Sequence, residues 1–294
     1  MKISTEFNSS AKLVGEERAV ELIAKAGFEA WDFSIYRMLG YDAGRGRRFI
    51  DVNHPLSGSD YLKHARRLRQ IGLDNGIVCN QAHAPFSSKD PEISSTFKRA
   101  IECAAEAGAP NIVFHTMTSE SMAANIGLFS AILPFAKECG VKIAVENTYL
   151  WPRGQEFAGP DPVSTPETML EMLDSINDES LVACIDIGHA EISSVGTSAP
   201  EMIRAVGPRV ACLHVQDCDR VHDSHELPFT MNVDFSEVVK ALRDVNYRGD
   251  MTLECGAHLH YYCKGDADKL EDGLKMMVSA ARRLVDMFKT AKKQ

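Results

Sequence analysis

The sequence lacks any Cys-x-x-Cys pair, although it contains eight cysteines, at positions 79, 103, 139, 184, 212, 218, 255 and 263. Several of them fall inside apolar, strand-like runs, where cysteine behaves as a small buried hydrophobic residue. Scattered cysteines of this kind argue against a disulfide framework and favour a reducing compartment. We therefore expect a cytoplasmic protein.

Long apolar runs are missing as well, and none is long enough to span a membrane. The composition, 45% hydrophobic and 25% charged, is typical of a soluble globular protein. Polar residues and the acidic pair Glu16 and Glu17 follow the N-terminus too closely to leave room for the apolar core of a signal peptide. We expect no membrane partner.

Positive charge is also scarce, since 41 acidic residues face 32 basic ones and the net charge is −9. Nucleic-acid binding normally begins with a basic face, so this balance argues against a nucleic-acid partner and favours a small molecule. The local exception is a run of arginines, Arg37, Arg45, Arg47 and Arg48. Such a run suits DNA phosphates or a phosphorylated or acidic sugar, but a solvated loop is the commonest case.

Short apolar or β-branched runs alternate with helical patterns along the whole sequence. The runs typical of strands span residues 2–7, 30–35, 76–81, 111–115, 142–147, 182–187, 209–216 and 250–255. The helical patterns span residues 15–26, 58–74, 91–107, 119–139, 165–176, 199–206, 235–246 and 267–289. Pro166 at a first helical position, and glycines at helix ends such as Gly27 and Gly140, support these boundaries. Strands that alternate with helices predict a parallel sheet.

Eight strand–helix units predict one α/β domain over residues 1–294, a (β/α)₈ or TIM barrel, whose usual length is about 250 residues. A doubly wound sheet is the alternative. That fold more often has a glycine-rich phosphate-binding turn after its first strand, where this sequence reads Asn8-Ser9-Ser10-Ala11. Two connections, residues 36–56 and 149–164, are longer than the topology requires, and we expect them to form lids over a site.

The predicted strands end in residue types that bind metals. These are His83, His115, Glu146, Asp186 and His189, then His214 with Asp223 and His225 in its loop, and finally Glu254. In a barrel these positions converge on one mouth, where active sites lie. A single histidine or glutamate there is commonly structural, but several carboxylates in one mouth repel each other, and a divalent cation relieves that repulsion. Two Glu, one Asp and one His predict a site for Mn²⁺ or Mg²⁺, with Zn²⁺ or Co²⁺ tolerated.

Four segments carry a family resemblance: residues 144–148 (Ala-Val-Glu-Asn-Thr), 184–189 (Cys-Ile-Asp-Ile-Gly-His), 213–217 (Leu-His-Val-Gln-Asp) and 252–254 (Thr-Leu-Glu). Residues 225–228 (His-Glu-Leu-Pro) and 233–235 (Val-Asp-Phe) add to them. Together they resemble the xylose-isomerase-like barrel superfamily over essentially the whole barrel. That superfamily includes ketose 3-epimerases, hydroxypyruvate isomerases, inosose dehydratases and the endonuclease-four type of AP endonuclease.

The resemblance to ketose epimerases implies that Glu146, Asp186, His214 and Glu254 hold one divalent metal. It also implies that Glu146 and Glu254 form the acid/base pair and that His189 and Arg220 contact substrate oxygens. A metal that chelates the carbonyl and its neighbouring hydroxyl stabilises an enediolate, so two carboxylates can remove and return a proton at the adjacent carbon. We therefore predict a sugar or sugar phosphate isomerase or epimerase. Its oligomeric state stays open, and a homo-oligomer is compatible with the sequence.

Two other interpretations remain. The DNA-repair branch binds three zinc ions, and that resemblance assigns His83, His115 and Glu146 to one ion and Asp186, His214 and Glu254, with Glu146 bridging, to a second. It assigns His189, Asp223 and His225 to a third, a cluster that suits phosphodiester hydrolysis. A barrel that binds sugar without catalysis is the other interpretation, although the presence of both Glu146 and Glu254 argues against it. The unfavourable charge ranks an anionic small substrate above DNA.

Overall fold

The computed structural model describes residues 1–39, 53–87 and 93–291, without the side chain of Arg37. Its strands are β1 (Ile3–Thr5), β2 (Ala30–Ser34), β3 (Val78–His83), β4 (Asn111–Phe114), β5 (Lys142–Glu146), β6 (Tyr149–Leu150), β7 (Gly159–Pro160), β8 (Leu181–Asp186), β9 (Val210–His214) and β10 (Met251–Leu253). All eight predicted strands are present, and β6 and β7 form an additional antiparallel hairpin. The predicted α/β class and barrel topology are confirmed.

Parallel pairing closes the strands into a barrel. Strands β2, β3, β4, β5, β8 and β9 pair side by side in that order, and β1 pairs with β10. Two single bridges join these sheets, one between Glu6 and Asp32 and the other between Val215 and Leu253. The backbone N–H of Val215 donates to the carbonyl of Thr252 at 2.9 Å, which ties β9 to β10. The carboxyl ends of the strands therefore surround one mouth.

The helices surround this barrel. They are α1 (Asn8–Val14), α2 (Glu16–Ala26), α3 (Tyr61–Asp74), α4 (Ile93–Ala107), α5 (Met122–Glu138), α6 (Pro166–Ile176), α7 (Ile187–Glu191), α8 (Ala199–Val206), α9 (Phe235–Asp244), α10 (Gly256–Cys263) and α11 (Leu270–Thr290). The eight predicted helices are present, and the prediction missed α1, α7 and α10. These three are at most eight residues long and begin within a few residues of a strand end, which places them at the mouth of the barrel. In the described part of the chain, no helix combines the length and apolarity needed to cross a membrane.

Two parts of the core follow the alternation of side chains along each strand. The larger part lies between strands and helices and includes Ile143, Ala183 and Ile185. The smaller part is made by Val113, Ala144, Val182, Cys184 and Cys212, which point to the opposite face and therefore into the barrel. All eight cysteines lie in described segments and are free thiols.

The other half of the barrel interior is polar. Ser4 donates to Asn80 at 2.6 Å, Asn80 donates to Thr252 at 3.0 Å, and Thr252 donates to Gln81 at 3.2 Å. Gln81 then donates to Asp32 at 2.9 Å. All five residues are buried, so each needs these partners to offset the loss of water. The network runs across β1, β10, β3 and β2 and ends beneath the mouth.

Candidate metal centre

A cavity of about 830 Å³ opens at the mouth of the barrel. Most of the residues predicted from the strand ends line it: His83, His115, Glu146, His189, Asp223, His225 and Glu254. Asp186 and His214 are buried, with 0% and 1% of their surface exposed, and they contact the lining residues. The structure therefore brings together all nine residues that were predicted as metal ligands or as further ligands.

The four residues predicted to hold one metal form a close group. One ligand atom from each of Glu146, Asp186, His214 and Glu254 lies within 4.8 Å of those of the other three. His214 Nδ1 is 2.9 Å from Glu146 Oε1 and 3.3 Å from Glu254 Oε2. Ligands that surround a divalent ion at about 2.0–2.3 Å are separated by at most about 4.6 Å, so this donor set fits one ion after a small adjustment.

Two neighbouring groups contain the remaining predicted ligands. In the first, His115 Nε2 is 2.9 Å and His83 Nε2 is 3.3 Å from Glu146 Oε2, the second oxygen of that carboxylate. Glu146 therefore belongs to both the first group and the four-residue group. In the other, Asp223 Oδ2 is 2.9 Å from His225 Nε2 and 3.4 Å from His189 Nε2. Each neighbouring group also satisfies the 4.8 Å limit.

In four of the histidines, a hydrogen bond from one ring nitrogen to a group outside the ligand set decides which nitrogen faces the carboxylates of the site. Nδ1 of His83, His189 and His225 lies 2.9 Å from a backbone carbonyl in each case, those of Ala84, Asn147 and Glu254 respectively. A proton on Nδ1 leaves Nε2 toward the site in these three rings. His214 has the opposite orientation, because its Nε2 is 3.1 Å from Asp32 Oδ2 and its Nδ1 faces Glu146.

The buried carboxylates and imidazoles shift each other's pKa values. Burial would raise the pKa of Glu146, but its imidazole neighbours, His214 foremost, hold that pKa well below the usual range. Burial raises the pKa of Glu254 to about 7, against the opposing effect of His214 and His225. Burial would lower the pKa of His225, but Asp223 raises it to about 10. The site therefore stabilises positive charge, which protons on imidazoles or divalent cations can supply.

Sequence reasoning missed two residues that orient the predicted ligands. Asp32 lies in β2, is 1% exposed and accepts from His214, and a charged residue inside an apolar strand was the available signal. Gln216 is fully buried and donates to Asp223 at 2.8 Å and to both oxygens of Asp186 at 3.3 Å. Its own oxygen accepts from the backbone N–H of His225 at 2.6 Å. Gln216 thus links the four-residue group to the group of Asp223.

Arg220 does not reach the cavity wall. Its guanidinium is 46% exposed and lies 3.3 Å from Glu191, and its backbone has a φ of 68° in the left-handed region. The substrate contact implied for Arg220 remains a prediction. Arg45, Arg47 and Arg48 lie outside the described residues, as does most of the predicted lid of residues 36–56.

The second predicted lid, residues 149–164, contains the β6–β7 hairpin. It contacts the group of His189, Asp223 and His225. Tyr149 donates to Asp223 Oδ2 at 3.1 Å, and its ring lies 5.2 Å from that of His189. Trp151 stacks on His222, with ring centroids 5.7 Å apart and an interplanar angle of 13°. The hairpin therefore covers one side of the cavity, and its movement as a lid remains a prediction.

The chain is similar to proteins from several organisms. It is 26% identical over 254 residues to the uncharacterized protein MJ1311 of Methanocaldococcus jannaschii, covering 80% of this chain and 78% of that protein. A D-psicose 3-epimerase structure determined in the presence of D-fructose superimposes with a TM-score of 0.71 at 16% identity, covering 97% of this chain and 99% of that one. A D-psicose 3-epimerase from Clostridium cellulolyticum H10 gives a TM-score of 0.69 at 15% identity, with both chains fully covered. At these identities the two structures show the shared fold alone.

The family model of the xylose isomerase-like TIM barrel matches residues 20–280, which include every strand from β2 to β10 and all nine predicted ligands. This match confirms the resemblance inferred from the strand-end motifs. The chain therefore belongs to the xylose isomerase-like TIM barrel family.

Proposed function

We propose that the protein is a divalent-metal-dependent isomerase or epimerase of a sugar or sugar derivative. The observation that carries the proposal is the pair Glu146 and Glu254, which flank His214 Nδ1 at 2.9 Å and 3.3 Å and line the same cavity. Their pKa values differ widely, since that of Glu146 is well below the usual range and that of Glu254 is about 7. Carboxylates whose pKa values are held apart in this way suit a base and an acid in one site.

Different residues of the site carry out different steps of the proposed reaction. Ionised Glu146 accepts a proton from the carbon next to the substrate carbonyl, and Glu254, with a pKa near neutrality, returns a proton to the substrate. Asp32 keeps His214 in the orientation that presents Nδ1 to both glutamates. His189 lines the cavity and would contact a substrate oxygen. A divalent cation held by Glu146, Asp186, His214 and Glu254 would polarise the carbonyl and acidify the adjacent C–H bond.

Three carboxylates and one imidazole favour Mn²⁺ or Mg²⁺ at the four-residue group, while Zn²⁺ and Co²⁺ also accept these donors. The structural likeness to ketose 3-epimerases supports a small sugar substrate, as does a cavity of about 830 Å³ within the range of small-molecule sites.

Deuterium exchange tests the acid/base assignment. In D₂O with Mn²⁺ bound, the wild-type protein should incorporate deuterium into a ketose, and Glu254→Gln should lose at least about 100-fold of that rate, as for a general acid/base. Elemental analysis of the variant should show that its metal is retained. The control is Glu102→Gln, the same change at a carboxylate that binds Tyr61 on the outer helices. Full exchange by metal-loaded Glu254→Gln would exclude the proposed role of Glu254.

A second candidate is metal-dependent phosphodiester hydrolysis, and the two neighbouring ligand groups favour it. Five imidazoles and four carboxylates form neighbouring ligand groups, and Glu146 belongs to two of them, an arrangement that suits several ions. The net charge of −9 opposes binding to duplex DNA. Incubation with a duplex that contains one abasic site decides between the candidates, because efficient incision at physiological salt would place hydrolysis first. Absence of turnover in both assays would favour the interpretation as a non-catalytic sugar-binding barrel.

A further inference from the structure

Tyr36 lines the cavity together with the predicted ligands His83 and Glu254. It is the first residue of the predicted lid of residues 36–56, and it was not predicted as part of a site. Tyr36 belongs to a short 3₁₀ helix, Ile35–Met38, that begins directly after β2. Because β2 ends at the mouth of the barrel, the residues that follow it border the candidate metal centre.

Packing on both sides of Tyr36 fixes the direction of its side chain. Ile35 and Met38, in the same 3₁₀ helix, are buried in the core, whereas the ring of Tyr36 faces the cavity. The hydroxyl of Ser57 donates to the carbonyl of Met38 at 2.5 Å, which holds this helix in place. The ring of Tyr36 lies edge-on to that of His83, with centroids 5.7 Å apart and an interplanar angle of 86°. Tyr36 therefore packs directly against a predicted ligand.

His83 connects Tyr36 to the four-residue group. One ligand atom from each of His83, His214 and Glu254 lies within 4.8 Å of those of the other two. Burial raises the pKa of Tyr36 well above the usual range, and the carboxylates of Glu6 and Glu254 add to this effect. Such an effect requires that these carboxylates lie close to the hydroxyl. The hydroxyl of Tyr36 therefore lies near Glu254, the residue proposed to return a proton to the substrate.

The hydroxyl proton of Tyr36 is not donated to any acceptor among the described residues. The hydroxyl of Ser34 favours the phenolate form of Tyr36, which means that Ser34 is the donor in that contact. A buried tyrosine hydroxyl usually has a hydrogen-bond partner, as Tyr149 has in Asp223 at 3.1 Å. Because Tyr36 lines the cavity, a bound ligand can supply the acceptor that its proton lacks.

We propose that Tyr36 is a further catalytic residue, whose hydroxyl donates a hydrogen bond to the substrate oxygen on which negative charge develops during proton transfer. The inference rests on the proposed isomerase or epimerase function and adds a residue to its site. Glu146, Asp186 and Glu254 only accept hydrogen bonds when they are ionised, so they cannot supply this bond. A phenol keeps its proton at neutral pH and can supply it. A donor placed where charge develops stabilises the transition state more than the bound substrate.

Replacement of Tyr36 by phenylalanine tests the inference, because it removes only the hydroxyl oxygen and keeps the ring that contacts His83 and Phe86. Deuterium incorporation from D₂O would be measured with Mn²⁺ bound, both for dihydroxyacetone and for the fastest of D-fructose, D-tagatose and D-allulose. For each sugar that exchanges, Tyr36→Phe should lower kcat at least about tenfold, as for the loss of one donor to a developing charge. KM should stay within about threefold, because the lost bond forms mainly in the transition state.

Dihydroxyacetone is included because it contains little beyond the carbonyl and its adjacent hydroxyl groups. An effect of Tyr36→Phe on this short sugar therefore reports the reacting end of the substrate. Tyr61→Phe is the matched control, since it removes the same atom at a residue that donates to Glu102 at 2.6 Å on the outer helices. It should leave kcat and KM unchanged.

Metal content and turnover of Tyr36→Phe separate the possible outcomes. Elemental analysis and thermal unfolding should show that the variant is folded and retains its Mn²⁺. An unchanged kcat in the metal-loaded variant, a loss confined to KM, or a loss of Mn²⁺ would each overturn the inference and leave the proposed function in place. Absence of exchange with every sugar in the wild-type protein would refute the proposed function itself.

Discussion

Replacement of Asp32 by asparagine tests how the barrel interior controls the candidate metal centre. Asp32 Oδ2 accepts from His214 Nε2 at 3.1 Å and from Gln81 Nε2 at 2.9 Å, and the residue is 1% exposed. This contact holds the proton of His214 on Nε2 and leaves Nδ1 toward Glu146. Asparagine keeps the shape of Asp32 but removes its charge, and its amide can turn a donor toward Nε2.

The expected effect is a weaker metal site in a folded protein. Groups that hold a ligating imidazole from behind typically contribute 10–100-fold to metal affinity, or about 1.4–2.8 kcal/mol. The dissociation constant of Mn²⁺ should therefore rise by about 10–100-fold in Asp32→Asn. The metal-free variant should remain folded, because Asp32 Oδ1 has no hydrogen-bond partner in the described structure and the change removes a buried charge.

Competition between the protein and a chromophoric chelator for Mn²⁺ at pH 7 measures this constant. Ser4→Ala is the matched control, because Ser4 is fully buried in the same polar network and donates to Asn80 without contact to His214. It should lower the unfolding free energy by about 1 kcal/mol and leave Mn²⁺ affinity unchanged. Equal Mn²⁺ affinity, within twofold, of wild-type and Asp32→Asn proteins would refute the role given to Asp32.

Three further predictions concern stability. Removal of bound Mn²⁺ with a chelator should lower the thermal midpoint, since an ion at 100 times its dissociation constant contributes about 2.7 kcal/mol, and an unchanged midpoint would argue against a metal site. Gln216→Met should lower the unfolding free energy in urea by about 2–4 kcal/mol, because it leaves Asp223 Oδ1 and the N–H of His225 without their hydrogen-bond partner. Glu16 lies 3.3 Å from His54 and 2.6 Å from His64, and these imidazoles lower its pKa to about 2 from 4.5, against the effect of burial. Its stabilisation, up to about 3 kcal/mol, should be complete above pH 4.5 and be lost as the pH falls toward 2, and denaturant curves of Glu16→Gln should lack this change.

The barrel could be predicted because each strand–helix unit carries its own local signals. Residues 142–147 and 182–187, for example, are apolar runs with a carboxylate at the next-to-last position, and the strands β5 and β8 end at Glu146 and Asp186. Helices α1, α7 and α10 were missed because eight residues or fewer give too little periodicity to distinguish a helix from a loop. The assignment of the whole chain to one domain remains a prediction.

Details of the site depend on contacts between distant segments, which no local pattern encodes. Asp32 and His214 are 182 positions apart, so the sequence could place His214 at the mouth but could not indicate that Asp32 orients it. The resemblance could place Arg220 near the substrate, but Glu191, on α7, directs its side chain in the structure.

The chemistry of the three ligand groups links the identity of the bound metal to the choice between the two candidate functions. The four-residue group has three carboxylates and one imidazole, so hard cations such as Mn²⁺ and Mg²⁺ prefer it. The groups of His83 with His115 and of His189 with His225 each have two imidazoles and one carboxylate, which suit Zn²⁺ better. One ion at the four-residue group leaves the rest of the cavity for a sugar, whereas three zinc ions fill the mouth with positive charge and favour a phosphodiester. The number and identity of the metal ions in the purified protein, measured by elemental analysis, therefore distinguish the two candidate functions as directly as an activity assay does.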